Sequence, residues 1–173
     1  MAETPYQGPI VDPHHHLWDL SLGKHPWLKP SDGSVQALGG LEDLKRSYLV
    51  EDYRRDSRNQ PVVATVHIEA LWDPAEPLGE TRWLETLDKT AGVAARYVAH
   101  APLIDPKVEA LLAAQAAFDR VVGIRDILSW HPDPAKSFAP RGDIIEDPDW
   151  RRGLALLRKY GLHFELMIYP YQA

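Results

Sequence analysis

The sequence predicts an α/β fold in which a parallel sheet with helical crossovers curls toward a barrel. Three observations carry this. Short β-branched apolar segments alternate with helix-patterned segments along the chain, as strand–helix–strand units do. In 163–169, Phe164, Leu166 and Ile168 share one face, and His163, Glu165, Met167 and Tyr169 share the other. Aliphatic residues packed outward under helices, with polar and bulky groups inward, suit a barrel interior better than a doubly wound sheet. Finally, two connections of unusual length, 18–40 and 128–146, follow the C-terminal ends of strands, where α/β enzymes build their sites. Both read as site-covering loops.

The elements follow in order. Pro9-Ile10-Val11 enters Asp12-Pro13-His14-His15-His16 as a strand and its C-terminal end. Pro61 to Ala70 is short and β-branched, a buried strand. Leu78 to Ala91 places Trp83, Leu84, Leu87 and Ala91 on one helical face. Arg96 to Leu103 is a further strand, and Pro106 suits the first turn of an alanine- and leucine-rich helix reaching Phe118. Val121 to Ile127 is the next strand. Asp147 caps a helix with Pro148 at its first position, and Gly161 closes it. His163 to Tyr169 is the fifth strand.

Composition narrows the function classes. A chain of 173 residues can bury one sizeable core. The net charge of -6 argues against nucleic acid and against an anionic membrane surface. No apolar run approaches membrane-spanning length. Without cysteine there is no disulfide framework and no thiolate site, so any metal must be held by His, Asp or Glu. Met1 to Pro5 lacks the pattern of a signal peptide, which makes a cytoplasmic location the expectation. Trp18, Trp27, Trp72 and Trp130 fall in loop-like segments, suggesting loops that bind something.

The histidine triplet carries the most chemistry. Strand alternation places Asp12, His14 and His16 on one side and His15 on the other. Two imidazoles one pleat apart can reach one divalent ion, zinc foremost. A solvated turn is the structural alternative. A tag remnant fits poorly, because the triplet is embedded between apolar residues.

Taken together, Asp12 to Asp19, Val66 to Ala70, Glu80 to Trp83, Val122 to Arg125 and Tyr169 to Gln172 resemble the amidohydrolase superfamily. Within it they are similar to the amidohydrolase-2 type of TIM-barrel hydrolases, in particular sugar lactonases of the L-fuconolactonase and L-rhamnonolactonase kind. The 2-pyrone-4,6-dicarboxylate lactonases are more distant. The resemblance implies a (β/α)8 barrel of which residues 1–173 would be the N-terminal part, with about five of eight strands. A later strand would bring another histidine, and the last an aspartate acting as general base. The expectation is therefore a truncated chain, inactive by itself, whose open sheet edge invites self-association. Tyr171 stands where relatives often carry histidine, which leaves that position without an assigned role.

Roles follow residue by residue. The resemblance implies His14 and His16 as a metal-ligand pair or, in lactonases working without metal, as polar groups at the substrate carbonyl. Parity gives His67 and Glu69 an inward face near the barrel rim, Glu69 as a catalytic carboxylate and His67 at the substrate, or both as an internal ion-pair framework. Arg125 suits a substrate carboxylate or the oxygens of a sugar lactone, with pairing to Glu69 or Asp126 as the alternative. Trp130 offers an apolar face for a sugar ring beside His131 in the long loop, where a solvated histidine is the alternative, and Trp72 and Tyr169 are candidate pocket walls or core. Asp12 orients a histidine or only satisfies the strand end. The reaction expected is water attack on a sugar-acid lactone, opening its C–O ester bond, with a divalent metal or none as cofactor and a small molecule as partner. A metal-dependent decarboxylase of an unsaturated or aromatic acid is the alternative, and a non-catalytic fragment is the reading from a different class.

Overall fold

The structure is a computed structural model that describes residues 6–28 and 42–173. The middle of the first long connection, residues 29–41, and the start, 1–5, lie outside the described residues.

Five strands form one sheet: β1 (Ile10–His15), β2 (Val62–Ile68), β3 (Arg96–His100), β4 (Val121–Ile127) and β5 (His163–Met167). Their spatial order is their sequence order, and every neighbouring pair is parallel. That order separates the two architectures left by the sequence. A doubly wound sheet reverses its strand order at a switch point, whereas steady addition of each new strand beside the last, with crossovers of one hand, curls the sheet into a half-barrel. Among the described residues β1 and β5 each have a neighbour on one side only.

The crossovers carry α1 (Val50–Asp56), α2 (Gly79–Thr86), α3 (Val108–Ala116) and α4 (Pro148–Leu156). Helix α1 was not signalled by the sequence. It has two turns, and only Val50 and Tyr53 are buried on its inner side. Helix α2 stops at Thr86, short of the expected Ala91, because the Asp88 carboxylate accepts the Thr90 N–H and turns the chain. Helix α4 starts as anticipated: the Asp147 side chain accepts the Asp149 N–H and Pro148 occupies the first turn. After a 3-10 turn, Gly161 ends the segment in the left-handed region at φ 65°. Gly153 in α4 lies so close to the Leu103 carbonyl that a Cβ would sit 2.0 Å from its oxygen, so no other residue allows this helix to seat.

The core lies between the sheet and these helices. Tyr97, Ile124, Leu84, Leu112 and Trp150 are buried there, and Trp150 meets Phe164 of β5 edge-on. The convex face of β3 to β5 is therefore largely apolar, as the 163–169 alternation indicates for Phe164, although Leu166 is exposed. Among the described residues no helix is long and apolar enough to cross a membrane.

Strand β1 departs from simple alternation. Asp12 pairs with Thr65 and His15 with His67, so β1 spends three residue steps where β2 spends two. Pro13, which has no N–H to give to the ladder, lies inside this bulge. The extra residue moves Asp12 to the convex side with His15. Its carboxylate accepts the Tyr53 hydroxyl of α1 at 2.7 Å and the His14 backbone N–H at 3.0 Å. The shared face that parity gives Asp12, His14 and His16 is thus corrected, and Asp12 satisfies the strand end.

Candidate active site

A cleft of about 200 Å3 opens at the C-terminal ends of the strands, on the concave side. His16 just after β1, Glu69 to Leu71 after β2, Arg125 and Ile127 from β4 and Met167 from β5 line it. Trp18, Trp27 and Phe138 from the two long connections close its sides. This is where barrel enzymes gather their chemistry.

The histidine pair is brought together. His14 Nε2 and His16 Nε2 lie 3.3 Å apart. His16 Nδ1 lies 2.8 Å from the Ile68 carbonyl oxygen. A carbonyl can only accept, so Nδ1 carries the proton and Nε2 keeps its lone pair. Burial, moderated by that hydrogen bond, lowers the His16 pKa to about 4, which leaves the ring neutral near pH 7. His14 is exposed, and its Nδ1 is 3.9 Å from Glu165 Oε1. His15 points to the other side: its ring lies 4.7 Å from that of Tyr53, and its Nε2 is 2.7 Å from Thr65 Oγ1.

Glu69 and Arg125 are also together, as partners of each other. Arg125 Nε donates to Glu69 Oε1 at 2.7 Å, and Glu69 Oε2 accepts the Leu71 N–H at 2.9 Å. Burial alone would raise the Glu69 pKa, yet Arg125, with His100 and the Leu71 amide, holds it below the usual carboxylate value. The second oxygen supports Leu71, a non-glycine residue at φ 56° in the cleft wall. The other side of the guanidinium faces Glu165, with Nη1 3.5 Å from Oε1. Arg125 is therefore engaged by two carboxylates: Glu69, one of the two expected partners, and Glu165, while the other expected partner, Asp126, accepts from the Leu103 N–H and Trp150 Nε1.

His67 differs from its parity assignment. It sits within β2 facing the helices, paired in register with core residue Tyr97, while Glu69 lies beyond the strand's last residue and turns to meet the concave-side arginine. His67 Nδ1 accepts the Leu17 N–H at 3.2 Å, so its proton is on Nε2, which donates to Glu80 Oε1 of α2 at 3.0 Å. Glu80 Oε1 also accepts the Ala70 N–H at 2.8 Å. Burial, reinforced by the nearby Glu69 charge, pushes the Glu80 carboxyl up to about 8, and burial pushes His67 down to about 3. Both are then neutral near pH 7, a hydrogen-bonded pair locking β2 to α2.

The remaining candidates lie apart from the cleft. Trp72 stacks on Trp83 of α2, with ring centroids 5.9 Å apart. Trp130 and His131 line a separate hollow with Pro132, Pro134 and Ser137, which shares Phe138 with the cleft. His131 lies edge-on to the stacked rings of Tyr169 and Tyr171.

Some cleft residues escaped the sequence assignment although their signal was present. Alternation from Arg125 puts Ile127 on its face, and alternation from Glu165 does the same for Met167. Leu71 and Phe138 had no such signal, because irregular backbone sets their direction.

The pair can be tested as metal ligands. A tetrahedral zinc with bonds near 2.0–2.1 Å separates two nitrogen ligands by about 3.4 Å. The 3.3 Å between the two Nε2 atoms matches that bite, and the Nδ1-to-carbonyl bond of His16 is the support metal-binding imidazoles usually have. The pair fits two corners of a site. Among the described residues no cluster of three or more His, Cys, Asp or Glu side chains converges to complete one.

No family model matches the chain. It is 36% identical over 164 residues to the uncharacterized protein y4mH of Sinorhizobium fredii strain NGR234, an alignment covering 94% of this chain and 54% of that protein. Among solved structures it is similar to a zinc-bound amidohydrolase from Burkholderia multivorans, with TM-score 0.65 and 22% identity over 94% of this chain and 50% of the other. An amidohydrolase 2 from Bifidobacterium longum subsp. infantis superposes with TM-score 0.58 and 20% identity, over 92% of this chain and 51% of the other. The fold is half of a TIM barrel. The chain spans about half the length of each protein it matches.

Proposed function

We propose that the chain is part of an amidohydrolase-type hydrolase that opens a lactone by water attack at the ring carbonyl. The observation that carries this is the His14–His16 pair, its two Nε2 atoms converging at the mouth of a cleft on the strand ends. The resemblance in the sequence and the amidohydrolase neighbours support it.

His14 and His16 would hold a zinc ion, which when bound polarises the carbonyl and acidifies a water. His16 is prepared for this by the Ile68 carbonyl, which fixes its tautomer and ring plane. The Glu69–Arg125 pair shapes the cleft floor, and its engagement with Glu165 leaves no unbalanced positive charge for a substrate carboxylate. That favours a neutral acyl substrate over the decarboxylase reading, in which Arg125 grips an acid.

The 173-residue chain alone is expected to bind zinc weakly and turn over lactones negligibly, since two ligands converge among its described residues. Competition against a chromophoric chelator reads the first expectation. His14→Ala is expected to weaken zinc binding by about ten-fold or more, whereas His15→Gln leaves it unchanged. Equal effects from the two variants would remove the pair from the site. In a form of the protein carrying these residues within a closed barrel, acid release from a lactone tests the reaction. Carbon dioxide release from an acid would mean the decarboxylase.

A further inference from the structure

We infer that the cleft takes a neutral lactone with an apolar body, in preference to a hydroxylated sugar lactone or a free carboxylate. This deepens the lactone-opening reading and rests on it. The walls are Trp18, Trp27, Leu71, Ile127, Phe138 and Met167, a lining of indole faces and aliphatic groups. What decides the ligand class is that the polar side chains among these walls already have protein partners. Trp18 Nε1 donates to the Arg46 carbonyl at 2.6 Å, and Trp27 Nε1 to the Ala70 carbonyl at 2.8 Å. The Glu69 carboxylate accepts from Arg125 and from the Leu71 N–H. Arg125 spends Nε and Nη2 on Glu69, and its Nη1 faces Glu165.

Among the described lining residues, the polar corner is His16 Nε2, which carries no proton and accepts from His14 Nε2 at 3.3 Å. The His14 Nε2–H can turn from His16 to a ligand carbonyl at this end of the cleft, and the rest offers a ring substituent few side-chain donors or acceptors without a protein partner. Hydroxyl groups of a sugar would shed water there without replacement. A carboxylate would meet Glu69 and Glu165 around a single arginine. An alkyl or aryl body would instead bury its surface against the tryptophans.

The test is binding to the 173-residue chain, with no metal added, followed by tryptophan emission, to which Trp18 and Trp27 contribute from the cleft walls. The probes are δ-decalactone, glucono-δ-lactone and octanoate. A saturable response to δ-decalactone is expected, with a Kd about ten-fold or more below those of the other two. Equal or tighter binding of glucono-δ-lactone or octanoate overturns the inference, as does no saturable response to δ-decalactone. Phe138→Asn is expected to weaken δ-decalactone binding several-fold with an unchanged circular dichroism spectrum. Should that variant unfold, Met167→Gln makes the same test from β5, and unchanged affinity in a folded variant counts against the assignment. Binding is read without turnover, so the two readings fail separately. Absence of hydrolysis would sink the lactone-opening proposal and leave the ligand class standing. Opening of glucono-δ-lactone by the closed-barrel form, with no binding of δ-decalactone, would do the reverse.

Discussion

Two buried carboxylates flank the end of β2 and behave in opposite ways. Glu69, on the cleft side, has a guanidinium at 2.7 Å and stays ionised despite its burial. Glu80, on the helix side, has only N–H donors from His67 and Ala70, and burial pushes its pKa up to about 8. Depth is similar, so the partner decides the charge. The histidines repeat the contrast. His67 has both ring nitrogens committed within the protein, to Leu17 and Glu80, and is a lock. His16 commits one to Ile68 and presents the other at the cleft. On the side facing helices His67 and Glu80 hold elements together, whereas the concave side places the His14–His16 nitrogen pair at the cleft.

The largest expected effect comes from breaking the Glu69–Arg125 pair. Arg125→Met should cost about 3–5 kcal/mol in urea unfolding, since it strands a buried carboxylate. Adding Glu69→Gln to that variant should recover part of the loss. A cost below about 1 kcal/mol would mean that the pair is wetter than the geometry indicates.

An intermediate effect is expected from Glu80, and it depends on pH. The native state keeps a proton that the unfolded chain releases between about 4.5 and about 8, so rising pH over that window favours unfolding through this group. Relative to Glu80→Gln, the wild type should therefore lose stability as pH rises across the window. Urea midpoints of both proteins at pH 5 and pH 8 read the difference. A gap that does not change with pH would put Glu80 in the same ionised class as Glu69.

The smallest effect belongs to the surface. Lys159 Nζ lies 2.6 Å from Glu109 Oε1, shorter than the Glu69–Arg125 contact, but the pair is solvated. Lys159→Ala should leave the urea midpoint unchanged. A shift comparable to that of Arg125→Met would show that distance, and not burial, ranks these pairs.

Much of this was legible in the residues because it depends on local periodicity. The 163–169 alternation, the Asp147–Pro148 helix start and the extent of Val121 to Ile127 need no knowledge of the rest of the chain. So does the pairing of His14 with His16, two residues apart on one face. The errors lie where periodicity is broken or where a partner comes from far away. Asp12 changed sides because of one extra residue in β1. Glu69 parted from His67 because strand geometry ends between them. Glu80 showed nothing of its raised pKa in its own neighbourhood, since burial and the Glu69 charge impose it. Helix α1 was too short, with too few apolar positions, to signal itself.

By itself, then, the sequence determined the alternation of strands and helices, the largely apolar convex face and the histidine pair, all written in spacings of two to four residues. The tertiary structure decided the rest. It set the strand order that curls the sheet, spent Arg125 on Glu69 and Glu165, and turned His67 into a lock. Each of these joins residues a dozen or more positions apart, where the chain's path through space, and not its local spacing, determines which groups meet.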